Sequence, residues 1–253
     1  MDSFFDLAQN NCKGFYNLEN IQYNNREVIS MSSIKRYELT LLSKEQVGED
    51  YVVFSFEPNE PIEFSEGQYG LFMHVDKEVE GRQVRAFSIV SALEENQIRI
   101  ATTIGEDPSD FKDKMDALEP GDKMSMEGPM GDFTLETGSD AVFIAGGIGI
   151  TALRSMIMLM ESIGKQKGHL IHHEEDKMYP FKEELTSAKS LSASYTASDE
   201  ELKKALKKAR DKFQNDAYYY ITGAPGFVGR LSGLLEELNV SSVRIKYDRF
   251  KGY

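Results

Sequence analysis

Ala141-Val142-Phe143-Ile144-Ala145 is an unbroken apolar run that ends on Gly146-Gly147-Ile148-Gly149 and leads into a segment with apolar residues at Leu153, Met156, Ile157, Leu159, Met160 and Ile163. A short run that is apolar at every position predicts a strand covered on both faces, and the spacing of three and four that follows predicts a helix. Strand, glycine turn and helix is the opening unit of a parallel sheet, because parallel neighbours need a crossover between them. The pattern then repeats. Residues 169–173 read as a strand, 180–185 as a short helix and 191–195 as a strand. Residues 199–212 form a charged amphipathic helix with Leu202, Ala205, Leu206 and Ala209 inward, and 218–222 form a further strand. Gly223-Ala224-Pro225-Gly226-Phe227 and a helix through Leu238 precede a last strand at 243–247. This alternation predicts a Rossmann-like parallel-sheet α/β domain over residues 138–253, with helices on both faces.

Upstream the period differs. Residues 37–42, 51–56, 70–75, 84–89, 97–102 and 123–127 read as short strands, separated by turn chemistry such as Glu57-Pro58-Asn59, Glu66-Gly67 and Pro120-Gly121-Asp122. One helical interruption falls near residues 109–118. Six strands in about 100 residues predict a small antiparallel barrel over 34–137. Residues 1–33 are rich in Asn and aromatics without a sustained period; they read either as a short helix with a linker or as a mis-annotated extension ahead of a true start at Met31.

Composition removes several function classes. With 29 Lys+Arg against 42 Asp+Glu the formal net charge is −13, which disfavours nucleic acid as a partner. No run approaches the roughly 18 apolar residues of a membrane span. The single cysteine, Cys12, excludes an intramolecular disulfide and a thiolate-ligated iron–sulfur cluster. His169 and His173 stand four apart, but in a segment that reads as a strand, where the adjacent His172 and His173 point to opposite faces, so no metal site is expected. Without a basic segment leading into an apolar core the N-terminus does not read as a secretory signal, and a cytoplasmic location is expected.

Several segments carry candidate chemistry. Gly146, Gly147 and Gly149 after a buried strand let backbone approach a diphosphate while a helix N-terminus faces its charge; a tight turn without a ligand fits the same residues. Gly223, Ala224 and Pro225 sit at the equivalent end of a later strand. Glu174 and Glu175 follow the second strand, where an acidic side chain accepts hydrogen bonds from an adenosine ribose and repels an added 2′-phosphate, favouring NADH over NADPH. A solvated charged loop is the other reading. In Arg85-Ala86-Phe87-Ser88 an extended chain puts Arg85 and Phe87 on one face and Ser88 on the other. A guanidinium there can clamp a diphosphate, an aromatic can cover a ring and a hydroxyl can bond a ring nitrogen. An ordinary half-exposed strand fits too. The C-terminal Asp248-Arg249-Phe250-Lys251-Gly252-Tyr253 either frays or packs over a cofactor.

Taken in order, these segments resemble the ferredoxin–NADP reductase-like flavoproteins over residues 35–253. Gly67-Gln68-Tyr69 is similar to that superfamily's Gly-Gln-aromatic turn, and Arg85-Ala86-Phe87-Ser88 to its flavin signature. Ser109-Asp110-Phe111-Lys112 is similar to the helix start that receives the FAD diphosphate, and Gly128-Pro129-Met130-Gly131-Asp132-Phe133 to the element closing the barrel. Ala145 to Thr151 resembles the nicotinamide-nucleotide turn, and Gly223 to Phe227 the late Cys-Gly-Pro-like turn.

The resemblance implies a six-stranded antiparallel Greek-key FAD-binding barrel followed by a Rossmann-like NAD(P)-binding domain. Arg85 would hold the FAD diphosphate, with backbone donors around Thr102, Thr103 and Ser109, Asp110, Phe111 and Lys112. Ala86 lies within the same signature, Phe87 would pack on the flavin or ribityl chain, and Ser88 would bond near flavin N5. Thr151 would face the flavin–nicotinamide junction, Gly146, Gly147, Gly149, Gly223, Ala224 and Pro225 would line the nucleotide channel, and Phe250 would shield the flavin. The implied activity is FAD-dependent transfer of a hydride from NADH, or NADPH, onto flavin N5 and onward to a separate, unidentified acceptor. An alternative is a non-autonomous electron-transfer or redox-sensing subunit that works only in a complex. Two positions depart from the pattern: Ala152 replaces a usual proline, and Gly223 replaces a frequent cysteine beside the nicotinamide.

Overall fold

Alternating apolar and polar residues produce β1 (Arg36–Val47), β2 (Tyr51–Pro58), β3 (Tyr69–His74), β4 (Arg85–Ser88), β5 (Ile98–Thr103) and β6 (Lys123–Met130), with α1 (Asp110–Asp116) between the last two. In β1, Tyr37, Leu39 and Leu41 are buried while Arg36 is exposed, as a period of two demands. The strands form one antiparallel sheet in the order β4-β3-β6-β1-β2-β5. Its two ends approach where Val90 N–H donates to the Arg99 carbonyl at 2.8 Å. With that closure, β6 returns beside β3, which is the Greek-key connection. Leu39, Phe54, Phe56, Phe72, Phe87, Ile98 and Met124 fill the interior, and α1 adds Phe111 and Met115.

The computed structural model describes residues 34–48 and 50–250, all within one compact unit. The expectations for residues 1–33, including Cys12 and Met31, and for Lys251, Gly252 and Tyr253 fall outside the described residues.

Past Asp140 follow β7 (Ala141–Gly146), α2 (Ile150–Ile163), β8 (Gly168–His173), α3 (Lys182–Ser187), β9 (Leu191–Thr196), α4 (Asp199–Phe213), β10 (Tyr218–Gly223), α5 (Pro225–Glu237) and β11 (Ile245–Arg249). All five strands are parallel, in the order β11-β10-β7-β8-β9. The apolar run of β7 divides between two cores: Val142 and Ile144 pack with Leu202, Leu206 and Leu231, whereas Phe143 and Ala145 pack with Leu153, Met156 and Ile157. Because β8 leaves β7 on one side and β10 flanks it on the other, the order reverses at β7. That reversal opens a crevice beyond the carboxyl ends of β7 and β10.

The first and sixth strands run on past the sequence expectation, to Val47 and Met130, and two starts fall later than expected. The short helix starts at Lys182 rather than Pro180, because Phe181 takes a left-handed φ of 62°. The last strand starts at Ile245; Val243, 76% exposed, lies in a turn closed by Arg244 N–H donating to Ser241 O at 2.8 Å. No helix among the described residues is long and apolar enough to cross a membrane.

Barrel and parallel sheet meet at a buried cation. Arg154 of α2, 1% exposed, donates to both carboxylate oxygens of Glu95 at 2.7 and 2.8 Å and to the Val90 carbonyl at 3.0 Å, and it pairs with Glu184 of α3. The bidentate fork fixes the barrel edge against α2.

Candidate functional site

On β4 the alternation places Arg85 and Phe87 on one face: the Arg85 guanidinium carbon lies 5.5 Å from the Phe111 ring centre and the Phe87 ring 6.2 Å from it. Phe87 is only 9% exposed and packs edge-on against Phe72 within the barrel core. Ala86 is exposed, and Ser88, nearly buried, pairs with Tyr69 across the ladder. Beside Arg85 stands Lys112, whose Nζ donates to the Thr103 carbonyl at 2.7 Å. Burial, and then the Arg85 charge, hold the Lys112 ammonium below its ordinary pKa.

Two cations held close together in a partly buried place suit an anion between them. Flanking them are the Thr103 carbonyl that holds Lys112 and the first turn of α1 after Ser109, whose N–H groups have no partner within the helix. Phe111 itself is fully buried, so only its backbone can serve such an anion. The Asp110 carboxylate accepts from Glu80 N–H at 2.6 Å and pairs with Lys114, which ties α1 to the loop before β4. This donor set fits a diphosphate.

The crevice at the reversal point is a cleft of about 360 Å³. Gly146, Gly147 and Ile148, then His173, Glu174 and Glu175, then Ala224, Phe227 and Arg230 line it, and Tyr51 and Thr103 of the barrel complete the wall. Glu174 accepts from Tyr51 Oη at 2.6 Å, and burial raises its carboxyl pKa.

The glycines have distinct jobs. A Cβ on Gly149 would stand 2.6 Å from the Thr222 carbonyl oxygen, and one on Gly146 would stand 2.8 Å from the Phe227 ring. At Gly223 φ is +143°, and a Cβ would meet Gly146 O at 3.1 Å and Phe227 at 3.2 Å. These three permit close packing of the two turns. Phe227 thus fills the space beside Gly223. Gly147, at φ +55°, is the open one: a Cβ there would meet Glu174 Oε2 alone, at 3.2 Å.

Other expected residues are placed as follows. Thr151 is buried and spends its hydroxyl on the Ile148 carbonyl at 2.9 Å. Phe250 N–H donates to Gly223 O at 3.1 Å, and its half-buried ring packs on the core that includes Phe133 and Tyr220. Ala224 lines the cleft, and Pro225 is the exposed first residue of α5.

Sequence reasoning missed Tyr51, His172, His173, Phe227 and Arg230. His173 stacks on Phe227 with rings 6.0 Å apart and 13° from parallel, and Arg230 donates to Asp199 Oδ1 at 2.6 Å. His172 donates from Nε2 to the Gly147 carbonyl at 3.0 Å; since a carbonyl only accepts, that nitrogen carries the proton. Burial lowers the His172 pKa to about 4. The adjacency of His172 and His173 to the acidic loop was the one available signal.

Residues 38–135 match the family model described as "Oxidoreductase FAD-binding domain". The ferredoxin reductase of carbazole 1,9a-dioxygenase, in an FAD apo form, superposes with a TM-score of 0.73 over 86% of this chain and 68% of that one, at 16% identity. Residues 38–135 thus match an FAD-binding oxidoreductase domain, and the chain shares the two-domain fold of that ferredoxin reductase. The flavohemoprotein of Bacillus subtilis (strain 168) is 26% identical over 242 residues, 85% of this chain and 60% of that protein. One component of the Na(+)-translocating NADH-quinone reductase of Actinobacillus pleuropneumoniae serotype 5b (strain L20) is 36% identical over 109 residues, 38% of this chain. The chain spans 60% of the first relative's length and 26% of the second's.

Proposed function

We propose that the chain is an FAD-dependent oxidoreductase that draws reducing equivalents from NADH and delivers them to a separate acceptor. The observation that carries this reading is that one cleft is lined both by the barrel, through Tyr51 and Thr103, and by the glycine turn of the parallel sheet, through Gly146 and Gly147. Arg85 and Lys112 would hold the FAD diphosphate by charge-assisted hydrogen bonds, with the first turn of α1 adding backbone donors. Bound FAD would supply the redox chemistry, accepting a hydride equivalent and releasing electrons singly or in pairs.

The chain's own residues bind, orient and exclude water. Gly147 lets a diphosphate approach the turn, Ala224 and Phe227 bound the nucleotide's path, and Phe250 covers the end of β10. Glu174 and Glu175, both lining the cleft, favour NADH because a 2′-phosphate would meet their charge. The FAD-binding part is placed at 34–137 and the nucleotide-binding part at 138–253. One cysteine in 253 residues suits the cytoplasm.

A second reading, a subunit that moves electrons or senses redox state only within a complex, is favoured by the likeness of 109 residues to one component of the Na(+)-translocating NADH-quinone reductase. Diaphorase turnover with an artificial acceptor separates the two. A free-standing reductase turns over alone, and a subunit does so only when its partner is added.

A further inference from the structure

We propose that Tyr51, on the barrel, is a specificity-determining residue of the dinucleotide cleft: its hydroxyl pins the Glu174 carboxylate over the Gly147 turn, positioned to accept ribose hydroxyls and to turn away a 2′-phosphate. This rests on the nucleotide reading above.

Glu174 has a fixed backbone. Its N–H donates to Thr196 O at 2.9 Å and its carbonyl accepts from Lys177 N–H at 3.1 Å. Only the side-chain rotamer is left to choose, and a glutamate on a cleft rim gains more hydration by swinging outward than by staying half-buried. Tyr51 Oη, donating to Oε2 at 2.6 Å, opposes that swing. Tyr51 is itself rigidly held: it is 8% exposed, at the first position of β2, and paired in register with Thr103. The same Oε2 lies 3.2 Å from where a Cβ on Gly147 would be, so the carboxylate overlies the turn.

An ionised carboxylate accepts at about four lone-pair sites, so one bond from Tyr51 leaves room for two ribose hydroxyls. The surrounding charge disfavours a phosphate. Glu175 also lines the cleft, and Arg230, a cation on the same wall, is already engaged by Asp199 at 2.6 Å. The selectivity therefore combines an attractive contact with a repulsive one.

The test uses the full chain and two nucleotide fragments, ADP-ribose and 2′-phospho-ADP-ribose, titrated by calorimetry, so that neither flavin loading nor turnover enters the readout. The wild type binds ADP-ribose the tighter by about tenfold, one hydrogen-bond-sized increment. Tyr51→Phe cuts that preference to about twofold, and Glu174→Gln removes it. In the Glu174→Gln background Tyr51→Phe changes the preference no further, a non-additivity that general loosening of the fold would not produce. A Tyr51→Phe protein that keeps the wild-type preference overturns the role of Tyr51 and leaves the nucleotide reading standing. A Glu174→Gln protein that still prefers ADP-ribose overturns the proposal even if Tyr51→Phe does not fold. A wild type that binds neither fragment, or prefers the phosphorylated one, overturns both.

Discussion

Thr222 Oγ1 donates a hydrogen bond to the Gly149 carbonyl at 2.8 Å and so ties the end of β10 to the turn after β7. Thr222 is fully buried. The bond closes the floor of the cleft from beneath, and it is possible only because Gly149 has no side chain: a Cβ there would lie 2.6 Å from the Thr222 carbonyl oxygen.

Gly149→Ala should therefore destabilise the protein by about 1–3 kcal/mol through overpacking. Gly233 of α5, where a Cβ meets nothing within 4 Å, is the control. Gly233→Ala should stabilise by about 0.5–1 kcal/mol, the ordinary helix-interior gain. Urea unfolding of the two variants checks the opposite signs.

Arg154 is the joint between the barrel edge and α2. Removing it leaves Glu95, whose carboxyl pKa is lowered by hydrogen bonding to and charge attraction from Arg154 despite the opposing effect of burial, without that fork. Arg154→Ala should cost about 3–5 kcal/mol, as for a broken buried ion pair. Thermal unfolding should show a lower midpoint and a broader transition, as barrel and parallel sheet begin to unfold separately.

His172 predicts an acid-sensitive stability. In the folded chain it protonates at about 4, because it is buried, against an ordinary value of 6.5. Below pH 6.5 the unfolded state takes up a proton that the native state refuses, so the contribution is full above 6.5 and is lost progressively as pH falls to about 4. At pH 5 the loss is about 2 kcal/mol relative to pH 7. His169 shifts in the same direction for the same first cause, so the check is the difference between wild type and His172→Gln. The variant should show a shallower decline between pH 7 and pH 5 by about that amount.

Arg85→Ala and Lys112→Ala should each weaken FAD binding by about tenfold or more, the worth of one charge-assisted hydrogen bond. Quenching of flavin fluorescence on titration measures it. Glu80→Ala removes a side chain whose backbone N–H, not its carboxylate, holds Asp110, so it should leave FAD affinity within about twofold.

The fold was legible where hydrophobic period and burial coincide. The β7 run divides its side chains between two cores, which is what an apolar residue at every position requires, and the alternation in β1 matches its buried face. The glycine turns were legible as turns, but their physical basis differs by residue. Gly146, Gly149 and Gly223 serve packing of protein on protein, although Gly146 also borders the cleft, whereas a Cβ on Gly147 would meet only the Glu174 carboxylate. A one-dimensional pattern cannot separate these cases, since each demands the same absent side chain. Tyr51 and Arg154 were illegible for another reason. Tyr51 lies 123 residues from Glu174, and Arg154 lies 59 residues from Glu95, so neither pairing leaves a local spacing to read. Phe87 matched its position in the flavin signature, yet its ring packs into the barrel core, because a strand residue on the Arg85 face also faces Phe111.

The central claim is that a flavin held by the barrel receives reducing equivalents from a nucleotide in the cleft at β7 and β10, with NADH preferred. The direct measurement is anaerobic addition of NADH and NADPH, in parallel, to FAD-loaded protein while the flavin absorbance is followed. The account predicts rapid bleaching by NADH and slower bleaching by NADPH, with Glu174→Ala and Glu175→Ala moving the two rates together. A chain that takes up no FAD, or a bound flavin that neither nucleotide bleaches, would contradict the account; faster bleaching by NADPH in the wild type would contradict the role given to Glu174 and Glu175.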